Sequence, residues 1–231
     1  VSCHGSHRIV GETSQIAMPE VGIGLVPDVG GSALLAAAPG HLGEYLGTTA
    51  TRMTAGDAIY VGFADHFIPQ EQWENAKSAL QETGIDALEQ FYAETPDSDL
   101  KGALADINAV FSGTRMRDIL ASAENSTAPF AARAAKAIRR NSPLAMAVAL
   151  DMIRSLRATN ATVAEALVQE YRFTARAIEF SDFAEGIRAA IIDKDKNPQW
   201  NHDLGAVPQD MVDHMRAPLG DTELNLTGEL S

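Results

Sequence analysis

The sequence has 231 residues, 45% of them hydrophobic, enough for one sizeable core or for a core with a helical appendage. Lys and Arg number 18 against 31 Asp and Glu, and the resulting charge of −13 argues against a nucleic-acid surface. The single cysteine, Cys3, excludes an intrachain disulfide framework and fits a reducing compartment, and no run of about 18 uncharged apolar residues reads as a membrane span.

Val1-Ser2-Cys3-His4-Gly5 has neither an initiator methionine nor targeting character, and His7 to Glu12 reads as a strand arriving from elsewhere, so the chain is expected to be cut from a longer one. The stretch Ile16 to Ser32 then organises the sequence. It starts as an apolar run, is interrupted by Pro19 and Pro27 and by Gly22, Gly24, Gly30 and Gly31, and passes into Ala33 to Ala38, predicting strand, glycine-rich turn and helix start. Glycines let a backbone approach a ligand closely, and a helix start leaves N–H donors free. The ionisable groups in this loop are Glu20 and Asp28, each directly after a proline, a candidate acid/base or nucleophile pair. The same residues also admit a plain reading, with Asp28 as N-cap of the following helix and Glu20 as a solvated strand end.

A short helix is expected over His41 to Gly47, with His41 given no role. Thr54 with Asp57 three residues on, closed by Gly62, predicts a capped helix, and Ala64 to Pro69 a short strand. Glu71 to Glu82 carries Trp73, Ala76 and Leu80 at helical spacing, a core stripe. Thr95 to Asp99 reads as a loop and candidate subdomain boundary, followed by helices over Leu100 to Phe111 and Met116 to Ala123, with Asn125-Ser126-Thr127 in a loop. Arg133, Lys136, Arg139 and Arg140 form the densest basic cluster: a solvated helix face, or a contact for phosphate groups. Ser142-Pro143 opens a helix to about Leu156, Thr162 and Glu165 form a capping box for one to about Phe180, and Ser181-Asp182 caps one continuing through Ile192. Beyond Trp200 the chain is polar, with a weak amphipathic piece at Met211 to Met215, and is expected to be loosely held.

Two blocks carry a family resemblance. Met18-Pro19-Glu20, Gly24 and Pro27-Asp28-Val29-Gly30-Gly31-Ser32 resemble the active-site loop of the crotonase (enoyl-CoA hydratase/isomerase) superfamily. Hydratases of that family usually place glycine after the second proline; the aspartate here is similar to the 3-hydroxyisobutyryl-CoA hydrolase branch. Independently, Glu170-Tyr171-Arg172, Asp182 to Ala189, Ile192 to Asp195 and Pro198-Gln199-Trp200 resemble the C-terminal helices of the same hydrolases.

The resemblance implies the last part of an α/β crotonase spiral fold, a few strands followed by a mainly helical region. Residues 1–69 would close the core and hold the active-site loop, 70–200 would be the helical region, and 201–231 a polar tail. It implies hydrolysis of a 3-hydroxyacyl-CoA thioester, 3-hydroxyisobutyryl-CoA foremost, as in valine breakdown. Coenzyme A would be part of the substrate, with no separate cofactor and no metal. Glu20 and Asp28 would be catalytic, and Gly24, Val29 and Gly30 would bind substrate. Glu20 would attack the thioester carbonyl or act as base toward water, while Asp28 would orient the 3-hydroxyl or share the proton traffic. A Gly-Gly-Gly segment supplying an oxyanion-hole N–H would lie upstream of Val1. Two alternatives stand beside this: an enoyl-CoA hydratase or isomerase, against which Asp28 argues, and a non-catalytic chain without an oxyanion hole. An acyl-CoA is the expected partner, with neither nucleic acid nor membrane. Oligomerisation is left open, and the bacterial cytoplasm is placed ahead of the mitochondrial matrix.

Overall fold

The computed structural model describes residues 2–226. A 3-10 turn, Ser2–His4, leads into strand β1 (Ile9–Val10), and a second 3-10 turn, Glu20–Ile23, precedes helices α1 (Gly31–Ala37) and α2 (Leu42–Thr49). Next come α3 (Ala55–Tyr60), strand β2 (His66–Phe67), α4 (Trp73–Thr83) and a 3-10 segment, Ile85–Phe91. The remainder is helical: α5 (Asp99–Val110), α6 (Met116–Asn125), α7 (Ala131–Arg140), α8 (Pro143–Thr159), α9 (Val163–Phe180), α10 (Phe183–Ile187) and α11 (Gln209–Arg216). This is the few-stranded, mainly helical composition expected of the last part of a crotonase fold. Among the described residues, no helix is long and apolar enough to cross a membrane.

The chain divides into two compact units, one formed by the residues up to Ala17 with Arg52–Ala103, the other by Met18–Thr51 with the residues from Leu104 onward. In the first unit β1 and β2 pair in parallel, Ile9 opposite His66 and Val10 opposite Phe67. Asp65 fixes the start of the pair by accepting from the Arg8 backbone N–H and from Nε, both at 2.9 Å. Those bonds hold its carboxyl down at about 2. Thr54 and Asp57 form the predicted capping box at the start of α3, and the second Asp57 oxygen accepts from the Ser98 hydroxyl at 2.8 Å and the Leu100 N–H at 3.1 Å. Trp73 and Ala76 of α4 pack with Ile68 and Leu88 as the stripe predicts. Leu80, on the same stripe, is instead 39% exposed, because it lies a turn beyond that small cluster.

The second unit is built around α8, whose Leu144, Ala145, Met146, Val148, Ala149, Met152 and Ile153 are fully buried. Its sequence explains its ends: the Ser142 hydroxyl accepts from the Ala145 N–H at 3.1 Å, Pro143 occupies the first turn, and Asn160 closes the helix in a left-handed conformation. The Thr162–Glu165 capping box forms as predicted. Tyr45 of α2 sits edge-on to Phe111 and Phe130, with ring centroids 5.4 and 5.5 Å away.

Three expectations are corrected. Ile16 does not open a strand; it forms a single antiparallel bridge with Met53. The predicted helix through Ile192 changes to a π-helical turn over Arg188–Ile192. The stretch around Met211 is docked rather than loose: it is α11, with Val212 and Met215 buried and Arg216 bonded to Asp151, Ser155 and Gln169.

Glu44 is the electrostatic centre of this unit. Its side chain is wholly buried and takes a bidentate contact from Arg157, at 2.7 and 2.8 Å, and a contact from His41 at 2.9 Å. Burial pushes the carboxyl up, but these hydrogen bonds prevail and hold it at about 2. Glu44→Ala is expected to cost about 3–5 kcal/mol in urea unfolding at pH 7, since it takes the carboxylate from Arg157 and from Arg154, which also reaches it at 3.3 Å, and a loss below about 1 kcal/mol would contradict this. Because the folded-state pKa is depressed, the advantage of the wild type over Glu44→Gln should be full above about 4.5 and fade as pH falls toward 2.

Candidate active site

Glu20 stands on a turn built by short-range chemistry. Pro19 leads into it, the Gly22 N–H donates to the Pro19 carbonyl at 2.9 Å, and the Leu25 N–H donates to the Glu20 carbonyl at 3.0 Å. Val21 is fully buried beneath it, and its carbonyl accepts from the Ser142 N–H at 3.0 Å. The turn rests on the start of α10 by direct backbone contact. A Cβ on Gly24, whose φ is +78°, would lie 2.5 Å from the Asp182 carbonyl carbon, and one on Gly186 would lie 2.1 Å from the Ile23 oxygen. No side chain fits on either surface.

A buried polar group locks this contact. Asp182, 1% exposed, accepts from the Ser142 hydroxyl at 2.6 Å and from the Asn201 N–H at 2.9 Å. Ser142 and Asn141 are fully buried, and the Asn141 amide donates to the Thr48 carbonyl at 3.0 Å. The predicted cap of α10 takes a different form: Ser181 accepts from the Phe183 N–H at 3.1 Å, while Asp182 turns inward.

Asp28 follows Pro27, and its carbonyl accepts from the Gly31 N–H at 2.8 Å. Its carboxylate does not cap α1, so the plain reading of Asp28 as N-cap is not what the chain adopts. The cap is Glu170 of α9, 3% exposed, which accepts from the Gly30 N–H at 2.9 Å, from the Ser32 N–H at 3.1 Å and from the Ser32 hydroxyl. Glu170 lies in one of the strings that carry the family resemblance, but nothing in its local sequence separates it from a surface glutamate. Among the three residues implied to bind substrate, Gly24 is occupied against Asp182 and Gly30 gives its N–H to Glu170. Val29, at φ +51°, projects and is 52% exposed.

Three carboxylates therefore share one neighbourhood. Glu20 Oε2 is buried with no hydrogen-bond partner among the described residues. Burial, and then the charges of Asp28 and Glu170, push the Glu20 carboxyl up to about 7. Asp28 is also raised, by burial first. Such a group holds a proton at mildly acid pH and is available as base or nucleophile just above neutrality. Beside the turn lies a cavity of about 200 Å³ lined by Gly22 and Gly186 and by two cations, Arg140 and Lys196. Arg139, from the same basic cluster, is paired instead with Glu124. Among the described residues no group of three or more His, Cys, Asp or Glu is arranged to hold a metal ion.

With this geometry in place, comparison with known proteins is specific. The sequence profile of the family described as enoyl-CoA hydratase/isomerase matches residues 1–215. The mitochondrial 3-hydroxyisobutyryl-CoA hydrolase of Gallus gallus is 31% identical, over 98% of this chain and 62% of its own length. The crystal structure of an enoyl-CoA hydratase from Rhodobacter sphaeroides 2.4.1 superposes with a TM-score of 0.91 at 49% identity, over 96% of this chain and 65% of that one. A carnitinyl-CoA dehydratase from Mycobacterium thermoresistibile gives 0.92 at 36% identity, over 99% and 66%. The chain thus spans about six-tenths of the length of the curated relatives it matches. A glycine-seated glutamate turn, the aspartate-bearing loop after it and a profile match over nearly the whole sequence agree: the chain belongs to the enoyl-CoA hydratase/isomerase, or crotonase, family.

Proposed function

We propose that the protein hydrolyses a 3-hydroxyacyl-CoA thioester, 3-hydroxyisobutyryl-CoA being the foremost substrate, to the free hydroxy acid and coenzyme A. The observation that carries this reading is the Glu20 carboxyl: one oxygen buried and unpartnered, its proton affinity raised to about 7, with Asp28 acting on it. Curated relatives named as 3-hydroxyisobutyryl-CoA hydrolases support the substrate, and Asp28 stands where the hydratase pattern has glycine.

In this scheme ionised Glu20 either attacks the thioester carbonyl, expelling the coenzyme A thiolate and leaving a mixed anhydride that water cleaves, or takes a proton from the water that attacks directly. Either way water supplies an oxygen to the acyl carbon and a proton to the departing sulfur. Asp28 orients the 3-hydroxyl or relays the proton. Arg140 and Lys196 offer local positive charge to an anionic part of the coenzyme in an otherwise acidic chain.

In the full-length protein, Glu20→Gln should lower thiol release from 3-hydroxyisobutyryl-CoA by at least about 10³-fold, read with a thiol-reactive dye, and turnover retained within about tenfold would refute the assignment. Since Glu20 must lose its proton to act, wild-type kcat/KM should rise with pH through about 7. Crotonyl-CoA hydration outpacing thiol release would overturn hydrolysis in favour of hydration. Gly186→Ala adds no charge but pushes a methyl into the Ile23 carbonyl, and should lower both stability, by about 1–3 kcal/mol, and thiol release. Unchanged values for both would contradict the seating of the turn.

A further inference from the structure

Glu170 is an energetically costly cap for the start of a short helix. It lies midway along α9, 3% exposed, and its carboxylate is met by backbone N–H groups and one hydroxyl rather than by a cation. Cations on the elements packed against α9 are engaged elsewhere. Arg154 and Arg157 of α8 are paired with Glu44, Arg216 of α11 is bonded to Asp151, Ser155 and Gln169, and on α9 itself Arg172 is paired with Glu223 and Arg176 donates to the Ala217 and Pro218 carbonyls. Asp28 adds a like charge. A serine or asparagine cap would serve a seven-residue helix without burying an anion.

What the arrangement secures lies one residue upstream. Three successive N–H groups are held, those of Gly30 and Ser32 by Glu170 and that of Gly31 by the Asp28 carbonyl. The preceding residue, Val29, is thereby kept at φ +51°, a conformation that a β-branched side chain adopts only when its surroundings over-determine it. Such strain beside a reacting group is a mark of function.

We propose that Glu170 is a positioning residue for the Glu20 and Asp28 pair: from behind α1 its anion clamps the Gly30–Ser32 turn, forces Val29 into its strained conformation, and keeps Asp28 within electrostatic reach of Glu20. That Glu20 and Asp28 act as a pair rests on the hydrolase reading; the clamp itself does not. Glu170 also places a third negative charge behind the two, so its removal bears on the proton affinity of Glu20 as well as on geometry. The charges acting on Glu20 are those of Asp28 and Glu170, and Arg140 and Lys196 stand beside its neighbour Gly22.

The test uses Glu170→Gln, nearly isosteric and uncharged. In the chain described here, amide hydrogen exchange at Gly30 and Ser32 should quicken by about tenfold or more, a readout that needs no substrate. In the full-length protein kcat should fall by about tenfold or more with KM within about threefold, and the acid limb of the kcat/KM profile should move to lower pH as Glu20 loses a like-charged neighbour. Glu170→Asp, which keeps the charge but shortens the reach, should return the acid limb toward the wild type while leaving exchange fast. Should Glu170→Gln fail to fold, Ser32→Ala removes one donor to the Glu170 carboxylate and should quicken exchange at Gly30 and Ser32 by a smaller factor. Unaltered exchange at Gly30 and Ser32 in whichever variant folds, or an unmoved acid limb in folded Glu170→Gln, overturns the proposal. A wild type with no thioesterase activity would instead sink the hydrolase reading, with the exchange rates still deciding the clamp.

Discussion

Two backbones touch where Glu20 is placed, and the site depends on that contact. Glycine on each side, Gly24 against Asp182 and Gly186 against Ile23, lets the turn and the start of α10 approach to a distance that any side chain would block. Ser142 and Asp182 then bind the seam from beneath, each buried and each satisfied, so the polar group stabilises the contact rather than penalising it. The backbone that carries Glu20 cannot shift without breaking hydrogen bonds in the interior. The two sequence blocks that carry the family resemblance, around Glu20 and around Asp182, are therefore one physical object.

The same seating accounts for the electrostatics. Placing Glu20 over buried Val21 removes water from one oxygen, and Asp28 and Glu170 supply like charges that the site does not neutralise. Glu44, wholly buried, shows the opposite treatment: an arginine fork and a histidine hold it down at about 2, and its work is structural. Two glutamates in one unit thus differ by the partners each is given. Glu20, with Oε2 unpartnered, is the one whose proton affinity rises, as a candidate acid or base requires.

What could be read from the sequence follows the range of the interactions. Thr54 with Asp57, Thr162 with Glu165, and Ser142 with Pro143 signal helix starts within a few residues, and each forms as expected. Glu20 and Asp28 stood out because prolines and glycines surround them, again a local signal. Glu170 did not, since its partners at Gly30 and Ser32 lie 140 and 138 residues away and no spacing rule connects them. That long-range cap also explains why Asp28, a sound N-cap on local grounds, does not serve as one. The docking of α11 was hidden for the same reason: Val212 and Met215 are too few to mark a core face, and Arg216 finds Asp151 across 65 residues. The exposed end of the α4 stripe is the converse case, where periodicity foretold burial but the cluster it joins ends at Ala76.

Everything proposed for the site requires that Glu20, with one oxygen buried, has its proton held by burial and by Asp28. The direct measurement is a carboxyl ¹³C titration of Glu20 in isotopically labelled protein, repeated with Asp28→Asn. A midpoint of about 7 that falls when Asp28 is neutralised is the result expected. A midpoint at the ordinary 4.5, unmoved by the substitution, would contradict it.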